Sequence, residues 1–153
     1  MNRNPVLSRL DVLVGEWEMT VKLGDVTFGG ARTTFEWLED GAFLVQRAHP
    51  GPPDPNIPEV WRQNSPLPTT AIIGLDDTAE SFTMLYADAR DVFRVYTMTF
   101  ADNLWTIHRA APNFHQRFTG TLDGDVVTAQ WDSSPDGETW ALDFHLNYTR
   151  LGS

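Results

Sequence analysis

The sequence predicts an all-β protein, a closed antiparallel up-and-down β-barrel of about ten strands behind a short N-terminal helix. Three observations carry this expectation. Apolar and polar residues alternate in segment after segment from Gly15 to Leu151, which is the period of a half-buried strand. Short turn signals such as Gly24-Asp25, Asp40-Gly41, Asp102-Asn103 and Asp123-Gly124 separate the segments, so successive strands run antiparallel. A meander this long exposes two edges unless it closes on itself, and closure into a barrel removes them. A two-sheet sandwich is the alternative.

The elements follow in order. "PVLSRLDVLVG" has Val6, Leu7, Leu10, Leu13 and Val14 at helical spacing, with Pro5 near its start and Gly15 as its stop. In "GEWEMTVKLG" the period changes to two: Trp17, Met19, Val21 and Leu23 alternate with Glu16, Glu18, Thr20 and Lys22. Strands are then expected in "GARTTFEWLE", "AFLVQRAH", "TTAIIGL", "SFTMLYA", "DVFRVYTMTF", "LWTIHRA", "FHQRFTGTL", "VVTAQWD" and "TWALDFHLNYTRL". One stretch breaks the rhythm. "HPGPPDPNIPEVWRQNSPLP" is dense in proline between Pro50 and Pro68, and proline cannot donate to a ladder, so this is a long loop. It carries Ile57, Val60 and Trp61. Either it plugs one barrel end or it gates a ligand. No repeat or domain boundary is visible, and residues 1–153 are read as a single domain.

Composition limits the function. The hydrophobic content is 41% and the aromatic content 12%, enough for a sizeable core. With 21 acids against 11 bases the net charge is −10, which argues against a nucleic-acid or anionic-membrane partner. The absence of cysteine removes disulfides, thiolate metal sites and a thiol nucleophile, and fits a reducing cytosol. "MNRNPVLSRLDVLVGEW" has no long apolar run before its charges, so neither a signal peptide nor a membrane span is expected and a bacterial-type cytoplasmic protein is the default.

Gly15-Glu16-Trp17, directly after a short helix, resembles the G-x-W signature of the calycin superfamily of lipocalins, fatty-acid-binding proteins and nitrobindins. That resemblance implies a barrel in which the tryptophan sits at the closed end with an arginine from the last strand across it, and Arg150 is placed to match. "LVGEWEM" and "DGETWALDFHLNYTR" together look like a family of uncharacterised bacterial lipocalin-like proteins, a likeness that spans nearly the whole chain. His145-Leu146-Asn147-Tyr148-Thr149-Arg150 is also similar to the last strand of nitrobindin, a ten-stranded haem barrel. That likeness implies haem as a cofactor and His145 as its ligand. The glycines that follow the tryptophan in nitrobindin are replaced here by Glu18, Met19 and Thr20.

Individual residues point to a small-molecule site. A ten-stranded barrel tends to keep a cavity. The predicted strands carry many aromatics, among them Trp37, Phe82, Tyr86, Tyr96, Phe100, Trp105, Phe118 and Trp131, and an aromatic cavity with a few polar groups suits a flat or apolar molecule. Arg47, Arg94, Arg109 and Arg117 lie in mid-strand, and Arg94 shares the parity of Tyr96, Met98 and Phe100. An arginine so placed either makes a structural salt bridge or holds an acid group inside. None of the four histidines, His49, His108, His115 and His145, stands in a zinc spacing, and no metal site is expected. His108 and His115 share a face if the turn between them has two residues and oppose each other if it has three. His145 faces outward if Trp140, Leu142, Phe144, Leu146 and Tyr148 pack inward, and enters the cavity if the parities exchange.

The expectation is therefore a barrel that binds a small hydrophobic or aromatic ligand, with haem included by the nitrobindin resemblance. The candidate ligand-binding residues are His145, Arg94, Tyr96, Trp37, Trp61 and His108. The alternative is an enzyme on the same barrel, of cyclase, isomerase or decarboxylase type. A homodimer is a further expectation.

Overall fold

The computed structural model of the chain describes residues 3–152 and is a closed barrel of ten antiparallel strands. A helical turn, α1 (Pro5–Ser8), opens with the Asn4 side chain accepting from the Val6 N–H at 2.9 Å, which supplies one of the bonds a helix start lacks. It passes into a 3-10 turn at Arg9–Leu13. Val6, Leu7, Leu10 and Leu13 are buried in the barrel core, so this segment plugs one end. No helix among the described residues is long and apolar enough to cross a membrane.

The strands are β1 (Gly15–Leu23), β2 (Val26–Leu38), β3 (Phe43–His49), β4 (Thr69–Asp76), β5 (Ser81–Asp88), β6 (Phe93–Ala101), β7 (Leu104–Arg109), β8 (His115–Asp123), β9 (Val126–Ser134) and β10 (Ala141–Leu151). Each pairs with the strand before and after it, and β1 pairs with β10 to close the ring. The register of that closing pair sets Trp17 opposite Arg150, Met19 opposite Tyr148 and Val21 opposite Leu146. Opposed residues share a face, so the interior set can be followed around the ring. The sandwich alternative is thereby removed.

The half of the barrel next to the plug is filled by side chains. Trp105 is the centre of this packing: Phe35, Phe118 and Tyr148 lie around it with ring centroids 6.0, 4.8 and 5.7 Å away. Its indole N–H is buried without an acceptor, a rare state for a donor. Tyr148 is fully enclosed, and burial pushes its hydroxyl pKa far above the ordinary tyrosine value. The width of a ten-strand barrel is thus taken up here by aromatic rings. Space remains only toward the opposite end.

Two irregularities shape that opposite end. The register of β10 against β9 shifts between Leu142 and Phe144, a bulge that takes up Asp143 and leaves Phe144, Leu146 and Tyr148 on the inner face. The pairing of β6 with β7 ends at Thr97 opposite His108, although β6 continues back to Phe93. The wall therefore parts between the first residues of β6 and the turn that follows β7.

Candidate functional site

The proline-rich loop joins β3 to β4 at the end away from the plug, and it is folded down onto the rim. Its short helix α2 (Glu59–Gln63) carries Trp61. That ring lies edge-on to Phe28 of β2 at 5.4 Å and to Phe144 of β10 at 5.0 Å, so it covers the β1–β2–β10 side of the mouth. The loop is anchored at its base. Asp54 accepts from the Gly29 N–H at 3.1 Å. Gly51 lies so close to Gly30 that a Cβ on it would stand 1.7 Å from the Gly30 carbonyl oxygen. Of the two sequence readings, plug or gate, the loop covers one side of the mouth and leaves the other open.

On the open side the interior is polar. The Tyr96 hydroxyl donates to Gln116 Oε1 at 2.9 Å, and Arg94 Nη1 donates to the same oxygen at 3.3 Å. The Arg94 guanidinium also lies 5.2 Å from the centre of the Phe114 ring. Next to them Tyr86 donates to Asp88 at 2.9 Å, and Asp88 is held by Arg90 at 2.7 Å. Burial pushes the Asp88 carboxyl up, but bonds from Arg90 and from Tyr86 outweigh it and leave the pKa below the ordinary value. Burial raises the Tyr96 pKa, while the positive charges of Arg94 and Arg109 oppose the rise. Tyr86 is raised too, by burial first and by Asp88 second. Both phenols thus stay protonated and act as donors near neutral pH. Tyr86, Tyr96, Trp131 and Phe118 form a run of ring contacts from this rim into the packed core, at 6.0, 5.8 and 5.3 Å.

Where the wall parts, a hollow of about 540 Å³ lies among Phe93, Arg94, Val95, His108, Arg109 and the Ala110–Pro112 turn. Arg94 and Arg109 belong to the inner parity of their strands, as the pairs Tyr86–Arg94 and Arg109–Gln116 show. Phe93 and Val95 belong to the outer parity and are 65% and 52% exposed. The hollow therefore has a cationic inner lip and an apolar outer one.

Of the residues named from the sequence, Arg94 and Tyr96 stand together at the open end, Trp61 lies on its lid, and His108 flanks the hollow from outside. Two are elsewhere. Trp37 is at the plugged end, where its indole N–H donates to Asp11 at 2.8 Å and Arg3 lies over its ring. His145 is opposite Lys22 and Gln130 on the outer face, the parity opposite to inward Phe144, Leu146 and Tyr148. The inward set expected from the sequence is corrected at its start, where the bulge at Asp143 turns Leu142, 53% exposed, and Trp140, stacked on Arg117, away from the interior. The registers of β3, β7 and β8 put His49, His108 and His115 on the outer face as well. The haem site implied by the nitrobindin resemblance thus has no interior imidazole to hold its iron, and the residues present do not fit that group. His108 and His115 do share a face, as the two-residue turn requires. Gln116 and Arg109 were the less visible members of the site. Their signal was parity, Gln116 with Phe118 and Leu122, and Arg109 with Trp105 and Ile107.

Fold and site together define an antiparallel ten-stranded β-barrel, plugged by its N-terminal helix and open beside Arg94. No protein-family model matches the chain, and no curated protein matches it. Among solved structures it is similar to the crystal structure of Rv2717c from M. tuberculosis, at 13% sequence identity and a TM-score of 0.62. The match covers 99% of this chain and 100% of that one. At this identity the likeness establishes the fold alone.

Proposed function

We propose that this barrel is a calycin-type binding protein that takes a small aromatic or apolar molecule at its open end. The observation that carries the reading is the division of the interior. One half is packed solid around Trp105. The other carries a rim of hydrogen-bonded Tyr86, Tyr96 and Arg94 and, on the side that the proline-rich loop leaves uncovered, a hollow of about 540 Å³ with apolar and cationic walls, a combination typical of small-molecule sites. Phe93 and Val95 supply the apolar contact at the hollow, and Trp61 caps the Phe28–Phe144 side of the same mouth.

A neutral fluorescent aromatic, phenylnaphthylamine, tests this. Wild type is expected to bind it saturably with one site, and Phe93→Ala, at the apolar lip of the hollow, to weaken binding by about tenfold, the loss of one aromatic contact. A titration without saturation in wild type would count against a binding function at this end of the barrel.

A further inference from the structure

Most of the ten arginines of this chain are matched with its acids among the described residues. Seven of them lie within 4.0 Å of a carboxylate, from Arg3 with Asp11 to Arg150 with Asp125. Among the described residues Arg9, Arg94 and Arg109 do not, in a chain with 21 acids; Arg9 lies in the N-terminal plug, whereas Arg94 and Arg109 line the same hollow. The wall across from Arg94 is Ala110, Ala111 and Pro112, small and neutral where an acid would have been easy to place. Two guanidiniums brought near one buried phenol repel each other unless an anion joins them.

We propose that this opening is an oxyanion subsite: Arg94 and Arg109 grip the carboxylate or phosphate of an amphipathic ligand, and Phe93, Val95 and Phe114 take its apolar body. The proposal rests on the open end being a ligand site, and specifies the ligand as an anion. Arg94 is held ready for the task. Its bond to Gln116 and its position over Phe114 fix the guanidinium plane, while most of its five donors stay free for an oxyanion. The acids at this end are engaged elsewhere: Asp88 by Arg90 and Tyr86, Asp132 by Arg117 and Gln130, and Asp136, which shares a neighbouring hollow with Arg109, by the N–H groups of Glu138 and Thr139. The break in β6–β7 pairing provides the way in: a ligand reaches both arginines through the wall, without lifting the proline-rich loop.

Two dyes with related ring systems separate charge from shape. Anilinonaphthalene sulfonate carries an oxyanion, and phenylnaphthylamine carries none. Wild type is expected to bind the sulfonate at least about tenfold more tightly, as charge-assisted hydrogen bonds require. Arg94→Gln with Arg109→Gln should abolish that preference, the sulfonate affinity falling to the level of phenylnaphthylamine in the same variant; Arg109→Gln alone, which leaves the Gln116 bonds intact, should reduce the preference. Benzoate displacing the sulfonate assigns a carboxylate, and phenyl phosphate displacing it assigns a phosphate ester. Equal affinity for the two dyes in wild type, or a preference that survives in the double variant, overturns the oxyanion subsite while the aromatic site stands. Saturable binding of neither dye overturns both.

Discussion

Arg150, on the last strand, lies over the ring of Trp17, on the first, with its guanidinium carbon 4.2 Å from the ring centre. The two residues are directly opposed in the strand pair that closes the barrel. The guanidinium also donates to the Val14 carbonyl at 2.9 Å, to the Val12 carbonyl, and to Asp125 at 3.0 Å. It therefore ties the end of the helical plug, the first strand and the β8–β9 turn to one another. Trp17 completes the link by donating to the Leu13 carbonyl at 2.9 Å.

Replacing this arginine should loosen the closure. Arg150→Ala removes the stacking and leaves the carbonyls of the last helical turn without a donor, at a cost of about 2 kcal/mol. Arg150→Lys should recover less than half, since an ammonium cannot donate along the same fork. Urea unfolding midpoints check both, and an unmoved midpoint for Arg150→Ala would remove the closure role.

Gly15 explains why this signature begins with glycine. Its φ is +127°, and a Cβ there would stand 3.1 Å from Arg150 Nη1. Gly15→Ala should destabilise by about 1–3 kcal/mol through backbone strain and the displaced guanidinium. In the Arg150→Ala background the crowding part of that cost disappears, so the two substitutions should be less than additive. Strict additivity in a double-mutant cycle would separate the glycine from the arginine.

Gln116 accepts from Tyr96 and Arg94 at once. Gln116→Leu leaves a buried phenol unpaired and should cost about 1–3 kcal/mol. The same substitution in a Tyr96→Phe background should cost about 1 kcal/mol less, because the donor is already gone. Chemical denaturation of the four proteins measures the coupling, and a value near zero would mean that the Tyr96–Gln116 bond contributes nothing.

Gly51→Ala is expected to detach the base of the proline-rich loop, since a Cβ 1.7 Å from the Gly30 carbonyl oxygen cannot be accommodated without backbone movement. The Gly29–Asp54 bond and the Trp61 contacts should weaken together. Faster amide hydrogen exchange across residues 51–63, with the β7–β9 amides unchanged, is the expected signature. Uniform exchange in wild type and variant would show that the loop is not held there.

Asp136 supplies an acid-dependent contribution at the β9–β10 turn. Its carboxylate accepts from the N–H groups of Thr139 and Glu138, both at 2.8 Å. These bonds, with help from Ser134, lower its pKa from 3.8 to about 2. A carboxylate depressed in the folded state stabilises fully above the unfolded value and loses that stabilisation as pH falls through the folded one. The stability gap between wild type and Asp136→Ala should thus be constant above pH 3.8 and shrink between pH 3.8 and about 2. A gap that widens on acidification would contradict the assignment.

Alternation within the chain determined a good deal on its own. It set the order of about ten strands and the shared parity of Arg94 with Tyr96 and Met98, while the pairing of Trp17 with Arg150 came from the resemblance of Gly15-Glu16-Trp17 to the calycin signature. The strand order and the parity depend on local periodicity and short turns, which side-chain polarity records directly. Other features were decided only in three dimensions. The outward turn of Trp140 and Leu142, which share the sequence parity of Phe144, Leu146 and Tyr148, comes from a one-residue bulge at Asp143, and the shared face of His108 and His115 from the length of one turn. A one-residue shift exchanges inside for outside without changing the composition of a strand. The place of Trp61 depends on where a non-repeating loop of prolines lands, and no period describes that. The meeting of Arg94 with Arg109 depends on β6 and β7 parting at Thr97. Where that pairing stops is a relation between two strands, which the alternation of neither one records.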